Sequence, residues 1–200
     1  MRHALLSFIL CALLALTAAS CSSAKRSAAT KRKPASTHKV VKGGGNGQLR
    51  DSRTEKPSGN LAKACARLGV SPNGVKNKAL YIESASWIGT GYKYGGMSRS
   101  GVDCSGLTGL IYKAVYGKKL SRSSAGILQD NCKRINKSGM REGDLVFFRT
   151  DGKRSKTPNH VGIYLKEGKF IHSSSSKGVI VSSMAQDYYV RNFIAAGRVP

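Results

Sequence analysis

Past Arg141 the chain changes its hydrophobic rhythm, and that change restricts the available folds more than any other feature. Before it, apolar residues recur at helical spacing. Leu61, Cys65 and Leu68 share one face over 61–68, and Leu80, Ser84, Trp87 and Ile88 form a stripe over 79–88. A third predicted helix runs from Cys104 through Leu107, Leu110, Ile111 and Val115, with Asp103 as N-cap and Gly117 as its stop. A short helix over 125–131 follows Ser121-Arg122-Ser123-Ser124. The pattern then turns to short β-rich runs at 143–148, 160–165, 169–172, 179–182 and 194–199. Helices first and strands afterwards predict an α+β fold, with helices packed on an antiparallel sheet.

The amino-terminal third reads differently. Arg2 precedes an apolar run over 4–16, too short for an ordinary membrane span, and Thr17-Ala18-Ala19-Ser20 leads into Cys21. This pattern resembles a bacterial lipoprotein signal peptide over 1–20, with Cys21 as the acylated residue of the mature chain. Ordinary secretory cleavage near Ser20 and an uncleaved anchor helix are the alternatives. All three place the remainder outside the cytoplasm. Over 22–60 ten Lys or Arg face only Asp51 and Glu55, among Ser, Thr, Gly and Pro, so 21–60 is expected to be a flexible basic tether. The glycine run at 43–47 lacks the Lys-Ser/Thr of a phosphate loop. The boundaries expected are a signal at 1–20, the tether at 21–60, a pre-domain helix and turn at 61–77, and a catalytic domain at 78–200.

Charge narrows the partners. With 34 Lys and Arg against 10 Asp and Glu, the formal net charge is +24, a field that favours polyanions. In an exported protein these are cell-wall carboxylates or phosphates, or lipid head groups. Export argues against nucleic acid.

Five cysteines need separate explanations. Cys11 leaves with the signal, and Cys21 carries the lipid. Cys65 and Cys132 have the option of a disulfide in an oxidising compartment, which sequence alone leaves open. No spacing suggests zinc, so neither a metal nor a cofactor is expected. Cys104 stands at the predicted helix start, where free N–H groups and the helix dipole favour a thiolate. His160 and His172 follow in strand-like settings on either side of the turn Lys166-Glu167-Gly168. A hairpin there sets the two rings side by side, so that His160 reaches the sulfur and His172 orients His160 by a ring-to-ring hydrogen bond. Taken singly, a cysteine at a helix start or a histidine in a strand is more often structural.

Six motifs occur in order: Gly91-Tyr92-Lys93-Tyr94-Gly95-Gly96, Asp103-Cys104-Ser105-Gly106-Leu107, Arg122-Ser123-Ser124, Gly143-Asp144-Leu145-Val146-Phe147-Phe148, His160-Val161-Gly162-Ile163-Tyr164 and Phe170-Ile171-His172. Over roughly 78–199 they resemble the NlpC/P60 family of cell-wall cysteine peptidases, and in particular its small lipoprotein murein endopeptidases of Gram-negative bacteria. The resemblance implies a papain-like fold with a five- to six-stranded antiparallel sheet and the nucleophile at a helix N-terminus. It implies Cys104 as nucleophile, His160 as general base and His172 as orienting residue. Tyr92 matches a tyrosine that helps at the oxyanion or the adjacent substrate pocket, and Asp103 and Ser105 match substrate-contacting positions. Asp103 reads equally well as only the N-cap, and Tyr94 reads as packing. The expected function is a peptidoglycan endopeptidase cutting stem peptides or their cross-links, as a monomer anchored through its lipid to the outer membrane and exposed to the periplasm. A non-catalytic wall-binding lipoprotein and an amidase or acyltransferase on the same fold are the alternatives.

Overall fold

The structure is a computed structural model that describes residues 58–200. The expected signal peptide, Cys21 and nearly all of the basic segment lie outside the described residues.

Two helices begin the fold, α1 (Gly59–Leu68) and α2 (Lys78–Trp87), packed on each other. The stripe Leu61, Cys65, Leu68 is buried in α1, and Leu80, Ser84 and Trp87 are buried in α2. α1 shares one hydrophobic core with the helices and sheet that follow, so it is part of the body that carries the site. Glu142 fastens α2 to the second half of the chain by accepting from the Lys76 and Asn77 N–H groups at 2.6 and 2.8 Å and from Tyr81 Oη at 2.8 Å. A two-residue hairpin, β1 (Met97–Ser98) and β2 (Gly101–Val102), leads into α3 (Cys104–Tyr116).

Asp103 caps α3 by accepting from the Gly106 N–H, and Gly117 ends it in the left-handed conformation at φ 67°. Leu107 and Ile111 bury one face of α3 against the sheet. The helix expected over 125–131 is shorter in α form. α4 (Ser124–Gly126) passes at once into a π-helical turn, Ile127–Asn131, whose last side chain folds back to accept from the Ser121 N–H at 2.8 Å.

The sheet has six antiparallel strands: β3 (Lys133–Ile135), β4 (Leu145–Phe148), β5 (His160–Tyr164), β6 (Lys169–Ser174), β7 (Gly178–Ser183) and β8 (Phe193–Arg198). Their spatial order is β3-β8-β4-β5-β6-β7. Buried on both faces, β4 reads Leu-Val-Phe-Phe, with Leu145 and Phe147 in the main core and Val146 and Phe148 in a smaller cluster with Phe170 and Met184. Arg198 locks the edge of β8 to Asp144 through two bonds of 2.7 Å. Besides the β1–β2 hairpin, two further elements lack a sequence signal. β3 is a short, mostly exposed edge strand, and α5 (Asp187–Asn192) has no buried residue to give it a period.

The sequence left a bridge between Cys65 and Cys132 open, and the structure does not form it. Cys65 and Cys132 are both free. Cys65 faces the core from α1, whereas Cys132 precedes β3 and lies against Gly197 of β8. Each thiol is absorbed by its own packing.

Candidate active site

Cys104 is the first residue of α3, held there by the cap on its amino side. The Asp103 carboxylate accepts from the N–H groups of Gly106 at 2.6 Å and Gly95 at 2.9 Å, and from Arg122 at 3.2 and 3.3 Å. Ser105 Oγ lies 3.0 Å from the Asp103 carboxylate and 2.8 Å from the Arg122 carbonyl, with one proton for the two acceptors. Asp103 and Ser105 are both buried. Of the two readings of Asp103, the geometry is that of the cap. Burial works to raise its carboxyl, but Arg122 and the Gly106 and Ser105 hydrogen bonds outweigh it and hold the group below the usual range. Gly106 is required by close approach, since a Cβ there would meet the Gly96 carbonyl at 2.3 Å.

The sulfur faces a cleft of about 820 Å³ lined by Tyr92, Cys104, His160 and His172, among others. Cys104 Sγ lies 3.7 Å from Ser124 Oγ. The Val161 N–H, one residue beyond His160, also points at the sulfur, which brings the start of β5 against the start of α3. Tyr92 bridges to Val102 in the loop before the nucleophile. Its phenol is raised by burial and then by the neighbouring Cys104.

The two histidines meet as the hairpin reading requires. β5 and β6 pair with Ile163 opposite Ile171 and Tyr164 opposite Phe170, which places His160 and His172 diagonally on one face. His160 Nε2 lies 2.9 Å from His172 Nδ1. Gly162 leaves the room, because a Cβ on it would meet Phe170 at 2.7 Å and the His172 Cβ at 3.2 Å. His172 is 1% exposed, and its other nitrogen, Nε2, lies 2.9 Å from Ser182 Oγ and 3.1 Å from Tyr189 Oη. Phe170 stacks on its ring.

Burial pushes His160 down to about 4, and burial followed by the charge of His160 pushes His172 down to about 3. Burial also raises the Cys104 thiol, against the hydrogen bonds from Ser124 and the Val161 and Ser105 N–H groups. The expectation of a lowered thiol at a helix start is therefore corrected. The helix end favours the thiolate, but desolvation is the larger effect. These shifts all favour a neutral site, with the proton on sulfur and the two imidazoles uncharged. Such a set can pass the proton to nitrogen as the sulfur attacks.

Tyr94 is not a packing residue. It is 89% exposed and stands on the lip of the cleft. Ser182 and Tyr189 carry no signal of their own in the sequence, since they reach His172 from β7 and α5. Ser124 was visible only within Arg122-Ser123-Ser124. Among the described residues no group of His, Cys, Asp and Glu is arranged to hold a metal. No described helix is long and apolar enough to cross a membrane.

A family model described as the NlpC/P60 family matches residues 89–198. The chain is 37% identical over 123 residues to a probable endopeptidase NlpC homolog of Haemophilus influenzae, covering 62% of this chain and 63% of that protein. It is 39% identical over 115 residues to the murein DD-endopeptidase MepS/murein LD-carboxypeptidase of Escherichia coli, covering 58% of each. This chain thus spans about three-fifths of the length of these two relatives. Among solved structures, the NlpC/p60 domain of the peptidoglycan hydrolase SagA is 29% identical at a TM-score of 0.52, covering 62% of this chain and all of that one.

Proposed function

Because the chain belongs to the NlpC/P60 family, we propose that it is a peptidoglycan endopeptidase working by cysteine nucleophilic catalysis. The observation that carries this reading is the bonded pair His160–His172, facing one cleft with the thiol of Cys104. Relatives named as murein endopeptidases support the substrate.

In this mechanism the Cys104 thiol loses its proton to His160 as the sulfur attacks the peptide carbonyl. His160 uses Nε2 toward His172, so Nδ1 is the nitrogen left for that proton. His160 must then donate from Nε2–H to His172 Nδ1, and His172 from Nε2–H to the oxygens of Ser182 and Tyr189. The N–H of Cys104, a first-turn donor with no partner inside α3, and the phenol of Tyr92 are the candidates to stabilise the oxyanion. His160 next protonates the leaving amine, and water activated by His160 releases the acyl-enzyme. The proposal extends to the rest of the chain: a signal over 1–20, an acylated Cys21 at the outer membrane, and a basic segment that keeps the domain near anionic wall polymers.

Cys104→Ala is expected to abolish release of soluble muropeptides from purified sacculi, read by chromatography and mass spectrometry. Undiminished release would sink the mechanism. A binding module has no need of a thiol, a base and an orienting residue together, which weighs against the non-catalytic alternative.

A further inference from the structure

Among the described residues, and apart from the two histidines, the wall of the cleft carries one ionisable charge that is fixed at neutral pH, Lys177, and no carboxylate. Lys177 lies in the turn between β6 and β7, at the end of the run Ser173-Ser174-Ser175-Ser176. The residues from Ser173 to Lys177 all line the cleft. Ser175, Ser176 and Lys177 are exposed, and among the described residues no acid pairs with Lys177.

The turn is built into the site. Gly178 adopts φ +68°, and a Cβ there would meet the Thr90 carbonyl at 2.4 Å and Gly91 Cα at 3.2 Å. Val179 N–H donates to the Thr90 carbonyl at 2.8 Å, and Gly89 N–H returns a bond to the Val179 carbonyl at 3.1 Å. Ser173 Oγ donates to the Val102 carbonyl at 2.7 Å. The serine–lysine turn is therefore clamped to the segment that leads into Tyr92 and to the residue that precedes the cap of α3. Its distance from the nucleophile is set by backbone bonds rather than by a free loop.

We propose that Lys177, assisted by the hydroxyls of Ser175 and Ser176, forms a subsite that takes a free carboxylate of the peptide substrate. The inference rests on the endopeptidase reading and names what that cleft selects. An ammonium on a four-carbon stem offers three rotatable donors, which suits a carboxylate presented at variable angles. Serine hydroxyls donate the remaining bonds, and the absence of acids from the wall leaves nothing to compete for the ammonium. Stem peptides carry several carboxylates, and the subsite discriminates a free acid from its carboxamide at one of them.

The test uses the full chain bearing Cys104→Ala, so that peptides bind without turnover. Calorimetric titration compares a synthetic stem tetrapeptide with a series in which each carboxylate in turn is a carboxamide. One carboxamide is expected to bind about fivefold more weakly than the free acid, the scale of a single exposed ion pair. Adding Lys177→Ala should weaken the free acid about fivefold and leave that carboxamide unchanged, whereas Lys177→Arg should keep the preference. The proposal is overturned if no peptide binds, if every carboxamide matches the acid, or if Lys177→Ala weakens acid and carboxamide alike. Turnover of the same peptides by the chain with Cys104 intact is measured separately. Absent turnover with the carboxylate preference present counts against the endopeptidase reading and supports the subsite.

Discussion

A histidine bonded at both ring nitrogens has little freedom left to turn, and His172 is in that position between His160, Ser182 and Tyr189. In the proposed mechanism the oxygens of Ser182 and Tyr189 accept from His172 Nε2–H, and so support the tautomer that leaves Nδ1 of His160 free for the thiol. Removing both oxygens, by Ser182→Ala with Tyr189→Phe, is expected to lower kcat about a hundredfold, the scale of a misplaced general base. KM should change little, and the pH profile of kcat/KM should shift. A change in KM alone would make the two residues ordinary packing. The diagonal pair itself was legible in the sequence, because His-Val-Gly-Ile-Tyr and Phe-Ile-His fix alternate faces of two strands joined by a tight turn. Its supports were not, since they arrive from elements that no local pattern links to His172. Tyr94 was misread for a simpler reason. Glycines on both sides mark it as loop, and an aromatic residue in a loop has no core to enter.

At the scale of elements, the start of α3 is the joint on which the site turns. One carboxylate, Asp103, holds the helix end, the glycine loop through Gly95, and Arg122. Asp103→Ala removes the cap and leaves Arg122 without its partner, so a loss of about 2 kcal/mol in unfolding free energy is expected. Urea denaturation checks this, and unchanged stability would show the cap to be dispensable. The cap was readable from Asp103 preceding an apolar helical stripe. The switch from helices to strands was readable from the change of period, and it gave the antiparallel sheet. The π-helical turn after α4 was not, because the apolar spacing of Ile127 and Leu128 suits an α-helix as well as a π-helix. Nor was the separation of Cys65 from Cys132, which depends on how two distant elements pack.

The whole molecule combines a strongly basic surface with a buried neutral site, and pH acts on the second. His160 and His172 have folded values of about 4 and about 3 against 6.5 for an ordinary histidine. Between pH 6.5 and those values the unfolded chain binds more protons than the folded one, so stability falls as pH falls through that window. Asp103 adds to the loss at still lower pH, where its own carboxylate takes up a proton. The urea midpoint is expected to be lower at pH 4.5 than at pH 7, and equal midpoints would count against the buried neutral pair. The thiol comes from the helical first half, and both imidazoles come from β5 and β6, more than fifty residues further along the chain. A chain emerging amino-terminus first therefore presents its sulfur long before anything can take the proton from it. In the proposed mechanism the site is complete only once β5 and β6 are both made, so a copy cut short before His172 has a thiol without its bonded pair.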